Sequence, residues 1–426
     1  MDEVFLRKLQ ITNFKCFQNL NFELESGMNI VYGLNASGKT AILEAISIAA
    51  GSFFMKLSEV EKRDIEKTDI RLFATSNSRL PEYQVPVEIE ATGYVMKQLI
   101  SWKRTLNTIE GGITSIFAKE MADLSSKAAS IVQHGENTDL PVIAYFSTQR
   151  LFVPRRESEK KPIGRLSAYY NALNATNIKK HIQLWFKDAE FEQYQMRQTN
   201  PDYTNSTLEG LKKLLLQNFT EWQNIYYYEP ETDSRLDKGL FFQLKNGDII
   251  PEKLLSDGYR NFLWLILEIA WRCYTINPFL KEDAPKKTKG IILIDEIDLH
   301  LHPKWQQKIA DVLTENFPNL QFVVTTHSPI VLSSQKANVF LLNEYKLKRC
   351  GSFFGMKPSY VLEVFMGLNE RLPNHLSEIN RYFQLINDGL GKSDEALRIR
   401  KKLSDEIPKG DPLFSEADAL IEFLAL

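Results

Sequence analysis

The sequence predicts an α/β protein built on a parallel core sheet, and three apolar runs carry that prediction. Met28–Tyr32 leads into a glycine-rich loop, Gly290–Ile294 ends at two acidic residues, and Phe322–Thr326 ends at a histidine and a serine. Short continuous apolar runs of this kind are typical of strands buried on both faces, as in parallel sheets. Polar residues at the carboxyl ends of such strands meet at one edge of the sheet. The three runs therefore predict the fold class and the place of a site.

Composition limits the classes of protein to which the chain can belong. Its 426 residues predict two or three domains, and 52 lysines and arginines against 54 acidic residues leave no global basic field for nucleic acid. Three widely spaced cysteines argue against a disulfide framework or a zinc site. The N-terminus lacks a secretory signal, and the longest apolar stretch, Phe262–Ala270, is interrupted by Glu268. We therefore expect a cytoplasmic protein with no membrane segment.

The loop after the first apolar run fits the phosphate-loop pattern G-x-x-x-x-G-K-[ST] over Gly33–Thr40. It follows a predicted strand and opens the amphipathic stretch Ala41–Ile48, which is the context that the motif requires. Backbone N–H groups of such a loop surround phosphates, Lys39 can reach the β- and γ-phosphates, and the Thr40 hydroxyl can ligate Mg²⁺. The sequence therefore predicts binding of a nucleoside triphosphate with Mg²⁺.

The other two runs supply candidate catalytic groups. Asp295 would hold Mg²⁺, and Glu296 would orient and deprotonate the attacking water. The amphipathic segment Pro303–Phe317 is predicted to be the crossover helix that returns the chain to the next parallel strand. His327 would then emerge at the same sheet edge and contact the γ-phosphate.

A fourth motif precedes the predicted helix Asn261–Arg272. Ser256 and Gly258 form a Ser-x-Gly turn at its N-terminus. Such a turn caps the helix, and a capped N-terminus is also an anion site. Read by itself, Ser256 is a plain helix cap; the order of the four motifs along the chain favours the second interpretation.

That order resembles the heads of the SMC/RecF branch of ABC ATPases, the AAA-15/AAA-21 group. The turn Asn13–Lys15 and the Asp-Glu-x-Asp-x-His-Leu-His-Pro run ending at Pro303 are specific to this branch. The resemblance implies an ABC-ATPase head with a P-loop core sheet, an antiparallel β lobe, a helical insertion and a helical C-terminal tail. It implies ATP and Mg²⁺ as ligands and hydrolysis of ATP to ADP and phosphate, and it leaves open whether that activity is low or regulated.

The resemblance also implies roles for individual residues. Catalytic roles fall to Lys39, Glu296 and His327, and metal ligation falls to Thr40, Asp295 and Gln149, the last in the Q-loop after the apolar run Val142–Phe146. Signature residues of this branch contact the ATP held by a second head; here Asp257 replaces the first glycine of Leu-Ser-Gly-Gly-Gln. The expected nucleotide contacts are Asn13, Phe14, Lys15, Gly33, Leu34, Asn35, Ala36, Ser37, Gly38, Lys39, Thr40, Ala41, Ser256, Asp257 and Gly258.

Domain organisation follows the same scheme. Residues 1–160 and 241–345 form the two parts of the head, 161–240 a helical insertion, and 346–426 a helical tail for oligomerisation or partner docking. Pro86–Thr92 and Lys97–Leu106 are predicted strands of the antiparallel lobe. No sustained heptad pattern occurs between the motifs, so we expect no long coiled coil.

Within the branch, the tail resembles that of PtuA-type ATPases of bacterial anti-phage defence, which are associated with Septu and retron systems. The matching pieces are Gly355–Phe365, Ser393–Leu397 and Gly410–Leu413. This resemblance implies a homodimer of heads, or a higher oligomer, that controls a separate HNH-type nuclease subunit related to PtuB. The tail shows no histidine cluster of the HNH type, so we expect no nuclease activity in the chain itself.

Two other functions stay open. A RecF-like DNA-repair or recombination ATPase would bind DNA directly, and salt-dependent binding to duplex DNA would favour it. The ATPase subunit of a membrane transporter is less favoured, because the signature departs from Leu-Ser-Gly-Gly-Gln and transporter heads lack the Asn13–Lys15 turn.

Overall fold

The computed structural model of the chain describes residues 5–74, 80–111, 113–114, 118–151, 162–174, 178–229, 238–369, 371–408 and 410–424. Its strands are β1 (Lys8–Phe14), β2 (Phe17–Glu23), β3 (Met28–Gly33), β4 (Leu72–Phe73), β5 (Glu82–Tyr83), β6 (Val87–Val95), β7 (Gln98–Leu106), β8 (Ile113–Thr114), β9 (Val142–Phe146), β10 (Trp222–Tyr228), β11 (Gly239–Leu244), β12 (Ile249–Pro251), β13 (Gly290–Ile294), β14 (Leu320–Thr326), β15 (Asn338–Asn343) and β16 (Lys346–Cys350). Its α-helices are α1 (Lys39–Ala50), α2 (Lys119–Gln133), α3 (Lys179–Arg197), α4 (Ser206–Asn218), α5 (Asp257–Ile276), α6 (Ala284–Lys287), α7 (Pro303–Gln306), α8 (Ile309–Asn316), α9 (Pro329–Ser334), α10 (Pro358–Tyr360), α11 (Pro373–Asn387), α12 (Asp394–Glu406) and α13 (Pro412–Leu424).

Two compact units make up the chain, Met1–Met356 and Lys357–Leu426. A six-stranded sheet in the order β16-β15-β3-β14-β13-β9 forms the centre of the first unit. The strands from β15 to β9 pair in parallel, and β16 is antiparallel to β15. Every residue of β3, β9, β13 and β14 is buried. The predicted α/β class with a parallel core sheet is therefore confirmed, and the carboxyl ends of β3, β14 and β13 are neighbours.

Helix α1 is packed between this sheet and a second, antiparallel one. It contacts β3, β9, β13 and β14 on one side and β1, β6 and β7 on the other. Ten of its twelve residues are buried, and the Trp102 indole N–H donates a hydrogen bond of 2.9 Å to the Ala49 carbonyl at its end. The second sheet has the order β2-β1-β6-β7-β8 and is antiparallel throughout. It is the predicted antiparallel lobe.

Helix α5 packs along β9 and contacts α3, α4, α6 and the turn Gly164–Tyr169. It begins four residues before the predicted start at Asn261 and ends four residues after Arg272. Fourteen of its twenty residues are buried, which makes it a core helix of the first unit. Its length matters for the site, because it runs from the signature turn to the opposite end of the sheet.

The predicted crossover helix Pro303–Phe317 is wrong in one respect. The structure breaks it into α7 and α8 at residues 307 and 308. The Lys308 N–H bonds to the carbonyl of Trp305, three residues back, so the chain makes a tighter turn there before α8 begins. No proline or glycine marks this break in the sequence.

Two segments expected to be helical also carry strands. Within residues 161–240, α3 and α4 are followed by β10, which pairs with β11 in a three-stranded antiparallel sheet with β12. The β10 sequence WQNIYYY is rich in aromatic residues, which favour a pleated, half-buried surface. Beyond residue 345, β16 belongs to the core sheet, so the helical part of the tail begins after it.

The second unit is helical, as predicted for the tail. Helices α11 and α13 each begin at a proline, which suits the first helical position, and the Ser393 hydroxyl caps α12. The three helices share an apolar core made up of Ile379, Tyr382, Leu385, Ile386, Ala396, Leu403, Ile407, Leu413, Phe414 and Ala417. Across the described ranges of both units, no helix has the length and apolar character needed to cross a membrane.

Candidate active site

The phosphate loop connects β3 to α1, and glycines are required at both of its ends. A Cβ at Gly33 would lie 2.3 Å from the Leu342 carbonyl oxygen of β15. Gly38 has φ of 104°, and a Cβ there would lie 2.6 Å from the Cys16 sulfur. Ala36 is also left-handed, with φ of 62°. The motif glycines therefore give the loop a backbone path that side chains would block.

The Asn13–Lys15 turn supports the loop from the side of the antiparallel sheet. The Asn13 amide donates to the Pro86 carbonyl at 3.1 Å, and Phe14 is fully buried in the core. Lys15 forms ion pairs with Glu44 of α1 and, at 3.4 Å, with Asp69. The next two residues contact the position of the Gly38 Cβ. Nucleotide contact by these three residues stays a prediction; the structure shows Lys15 linking this turn to α1 and Asn13 linking it to the residue before β6.

The Lys39 side chain and the Ser37 hydroxyl are buried polar groups of the loop. The Lys39 ammonium donates to the carbonyls of Gly33 at 3.0 Å and Leu34 at 2.9 Å. Burial lowers the pKa of Lys39, and the carboxylates of Asp295 and Glu296 oppose that shift. The buried Ser37 hydroxyl has no hydrogen-bond partner within the part of the chain that the structure describes. A phosphate group fits this loop, because it offers oxygens to both side chains, while Leu34, Asn35 and Ala36 remain exposed.

Asp295 joins the three sequence motifs at the carboxyl edge of the core sheet. Its two carboxylate oxygens accept hydrogen bonds from the hydroxyls of Thr40, at 2.8 Å, and Thr325, at 2.6 Å. The Thr325 hydroxyl in turn accepts from the Glu296 N–H at 2.8 Å. A hydroxyl and a carboxylate side by side are the hard oxygen ligands that Mg²⁺ uses beside phosphates. The predicted pair of Thr40 and Asp295 is therefore brought together.

The backbone of Glu296 is in the left-handed region, with φ of 48°, which is uncommon for a residue other than glycine. Its carbonyl accepts a hydrogen bond of 2.8 Å from the guanidinium of Arg150. Arg150 also donates to the Asp295 carbonyl at 2.7 Å and to the Asn261 side chain at 2.9 Å. Sequence reasoning missed both Arg150 and Asn261. A weak signal existed for Arg150, since it follows the Q-loop residue Gln149.

Arg150 is almost completely buried, and burial lowers its pKa to about 10 although Asp295 and Glu296 favour the charged form. The guanidinium still carries its charge at neutral pH. Gln149, beside it, is exposed on the turn Thr148–Leu151, and its backbone N–H donates to the Ser147 hydroxyl at 3.1 Å. The turn follows β9 and lies at the carboxyl end of the sheet, but ligation of a metal by the Gln149 side chain stays a prediction.

His327 follows β14, and its side chain is partly buried. Burial and the neighbouring Lys39 charge lower the pKa of His327, while Glu296 and Asp298 oppose the shift. The preceding residue, Thr326, donates to the Asp298 carboxylate at 2.5 Å, so the ends of β13 and β14 are linked here as well.

The signature turn caps α5 as the sequence predicts. The Ser256 hydroxyl is exposed and accepts a hydrogen bond of 3.4 Å from the Tyr259 N–H. A Cβ at Gly258 would lie 2.3 Å from the His300 carbonyl oxygen, so a glycine is needed for this close approach. Asp257 occupies the first turn, where its negative charge suits the helix dipole, and it pairs with Arg260. The replacement of a glycine by Asp257 is therefore compatible with the helix start.

Comparison with known proteins identifies the family. An AAA domain family matches residues 8–219, and the AAA ATPase domain family matches residues 119–332, which is half of the chain. The chain belongs to the AAA ATPase domain family. The matched region of this AAA ATPase includes Asp295, Glu296 and His327, and the overlapping first match includes the phosphate loop.

Three relatives place this AAA ATPase within the family. The Retron Vc95 probable ATPase of Vibrio cholerae serotype O1 biovar El Tor is 26% identical, over 94% of this chain and 87% of the relative. The Septu protein PtuA of Bacillus thuringiensis is 25% identical, over 90% and 89%. The DNA replication and repair protein RecF of Shewanella woodyi is 22% identical, over 77% and 92%. The expected relation to SMC/RecF-type ATPases, and to PtuA among them, is confirmed.

Two oxygen-bearing side chains at the carboxyl edge of the core sheet are candidate metal ligands. Among the described residues, no group of three or more histidine, cysteine, aspartate or glutamate side chains is arranged to hold a metal ion. Thr40 and Asp295 offer two neighbouring oxygens instead. This donor set fits Mg²⁺ bound jointly with phosphate oxygens rather than by a dedicated protein cage.

Proposed function

We propose that the chain is the ATP-binding and ATP-hydrolysing regulatory subunit of a bacterial anti-phage defence complex in the cytoplasm. The observation that carries the enzymatic part is the hydrogen-bonded set Thr40–Asp295–Thr325, which puts the phosphate loop beside Glu296. The defence role is supported by relatives from retron and Septu systems that match nearly the full length of both chains. In this proposal two heads dimerise around ATP, alone or within a higher oligomer, and control a separate effector nuclease of the HNH type.

Hydrolysis would use the residues already gathered at the sheet edge. Lys39 leaves the loop carbonyls to bind the β- and γ-phosphates, and the loop N–H groups and Ser37 hold their oxygens. Bound Mg²⁺ would neutralise phosphate charge from Thr40 and Asp295, with Gln149 as a further ligand. Glu296 orients the attacking water and accepts its proton. His327 would offer a ring N–H to the γ-phosphate.

The dimer would complete the site from the signature turn. Ser256 is exposed. The backbone N–H groups of Asp257 and Gly258 belong to the first turn of α5, which is the positive end of the helix dipole. A γ-phosphate held by a second head is an anion of the kind that such a turn binds. Closing two heads on two ATP molecules would therefore make hydrolysis depend on assembly.

The helical unit Lys357–Leu426 is the proposed docking element for the effector. It has its own apolar core and is separate from the residues that build the nucleotide site. The alternative, a RecF-like ATPase that binds DNA directly, is supported less well, because the RecF relative has lower identity and leaves more of this chain unmatched.

The test begins with the protein expressed from its native operon with an affinity tag. We expect Mg²⁺-dependent ATP hydrolysis, and a small nuclease that co-purifies with the full chain but not with a chain ending at residue 356, provided that the shortened chain still binds ATP. Lys39→Ala should lose ATP binding, and the matched surface variant Lys281→Ala should keep it. A solitary protein that binds duplex DNA with a steep salt dependence would support the RecF-like function instead.

A further inference from the structure

Glu296 is held in its left-handed conformation from both sides of its backbone. Thr325 accepts from its N–H at 2.8 Å, and Arg150 donates to its carbonyl at 2.8 Å. A left-handed glutamate costs free energy, so it persists only where its surroundings fix it. The side chain that would activate water therefore takes its direction from these two contacts.

Arg150 connects that backbone to helix α5. Its Nε–H donates to the Asn261 side-chain oxygen at 2.9 Å, and the Asn261 amide donates to the Leu299 carbonyl at 2.7 Å. Asn261 is therefore bonded to Arg150 on one side and to the chain three residues beyond Glu296 on the other. Both side chains are buried, so these bonds do not compete with water.

The Arg150 contacts differ from an ordinary ion pair. Its hydrogen bonds go to the carbonyls of Ser147, Asp295 and Glu296 and to the Asn261 amide oxygen. Bonds to backbone carbonyls fix the path of the chain, and a buried guanidinium with several donors in one plane can fix several carbonyls at once. The turn after β9, the end of β13 and the first turns of α5 are joined at this one side chain.

We propose that Arg150 is a positioning residue for ATP hydrolysis, which holds the backbone of Glu296 and, through Asn261, makes that backbone respond to the N-terminal turns of α5. The proposal rests on the proposed ATPase function. The signature turn Ser256–Gly258 begins the same helix. An anion bound at that turn would therefore shift the backbone of Glu296 in the same chain. Arg150 acts through Glu296 and touches no substrate.

Substitution of Arg150 tests the proposal through a separation of kcat from KM. In Arg150→Met, which keeps the apolar stem, we expect kcat to fall by about 100-fold with KM and Mg·ATP affinity unchanged, because Glu296 is misplaced while the phosphate loop is intact. Arg150→Lys keeps the charge but reaches fewer carbonyls, so its kcat should lie between that of the wild type and that of Arg150→Met. Asn261→Asp keeps the acceptor for Arg150 and should lose less than Asn261→Leu.

A matched control exists at the other end of α5. Arg165 donates to the carbonyls of Ile276, Glu136 and Thr138 at 2.6 to 2.7 Å, far along the helix from the signature turn. Arg165→Met removes the same type of contact. It should lower the melting temperature and leave kcat unchanged. If Arg165→Met lost as much kcat as Arg150→Met, general destabilisation would explain both, and the proposal would be overturned.

Hydrogen exchange provides a readout that does not need activity. The Ile297 N–H bonds to the Thr325 carbonyl and the Leu299 N–H to the Glu296 carbonyl, both at 2.9 Å. We expect Arg150→Met to speed exchange at these two amides and Arg165→Met to leave them unchanged. A wild-type chain that binds ATP but never hydrolyses it would refute the proposed ATPase; unchanged exchange in Arg150→Met would refute the positioning role independently.

Discussion

The two ends of helix α5 are built from the same kinds of residue and have different consequences. At the N-terminal end, Asn261 and Arg150 bond to each other and to backbone carbonyls near Glu296. At the C-terminal end, Asn277 and Arg165 do the same with carbonyls of residues 136–140, just before β9. Each end of α5 is therefore hydrogen-bonded to residues at one end of β9 through one asparagine and one arginine.

The difference between the ends lies in what the fastened backbone carries. The C-terminal contacts hold segments that have no polar side chain assigned to chemistry, so they stabilise the fold. The N-terminal contacts hold the two residues that follow β13, and one of them is the predicted catalytic base. Similar hydrogen bonds therefore serve stability at one end of α5 and catalysis at the other, according to the carbonyls that they reach.

The largest effect should come from the residue that the N-terminal end positions. Glu296→Gln keeps the shape and the backbone contacts but removes the base, so kcat should fall by about 10²- to 10⁴-fold while Mg·ATP binding is retained. Phosphate release and equilibrium ATP binding measure the two quantities. Hydrolysis by Glu296→Gln at the wild-type rate would show that neither end of α5 controls the chemistry through this residue.

A smaller effect is expected when the N-terminal turn itself is displaced. In Gly258→Ala the new Cβ would lie 2.3 Å from the His300 carbonyl oxygen, so either α5 or the chain after Glu296 must shift. We expect a loss of about 1–3 kcal/mol in the free energy of unfolding together with a reduced kcat. Gly351→Ala is the control, because a Cβ there meets no atom within 4 Å. Equal kcat in both variants would argue against coupling from α5 to Glu296.

The C-terminal end should respond in stability alone. Asn277 accepts from the Leu140 N–H at 2.9 Å and donates to its carbonyl at 3.0 Å, and all of these groups are buried. Asn277→Leu leaves them unpaired, which should lower the free energy of unfolding by about 1–3 kcal/mol. Denaturant unfolding measures that loss, and kcat measured well below the transition should stay unchanged. A drop in kcat as large as that of Asn261→Leu would remove the contrast between the ends.

The smallest effect concerns pH at the catalytic edge. Because burial and Lys39 lower the pKa of His327 from its ordinary 6.5, the unfolded chain takes up this proton before the folded one. The contribution of His327 to stability is therefore constant above pH 6.5 and is lost as pH falls through 6.5 toward the folded pKa. Wild type should lose more stability than His327→Gln between pH 7.5 and 5.5 in urea unfolding. Parallel curves would place the ring in an environment unlike the one described.

The sequence predicted the parallel core and its functional edge because the apolar runs are short, continuous and each followed by polar residues of definite chemistry. It did not predict the break between α7 and α8, since Gln307 and Lys308 carry no helix-breaking signal. It also assigned residues 346–350 to the helical tail, although they complete an antiparallel pair with β15.

The residues of the candidate site also fall into those that the sequence predicted and those that it did not. Lys39, Thr40 and Asp295 belong to motifs whose spacing reflects their chemistry, so the sequence reveals them. Arg150 and Asn261 stand 111 residues apart and belong to no such motif. Their roles depend on the burial of a turn and a helix against each other, which a pattern along the chain does not encode. The signature and Q-loop assignments of Ser256 and Gln149 stay predictions.

The glycines at the ends of the phosphate loop have a thermodynamic consequence. Gly33 is enclosed by β15 and Gly38 by the residues after β1, so two different sheets fix the loop where it leaves β3 and where it enters α1. A ligand that enters such a loop finds its backbone already shaped and sacrifices little conformational entropy on binding. Substitutions at Cys16 or Phe17, whose side chains enclose Gly38, should therefore weaken nucleotide affinity by loosening the loop backbone.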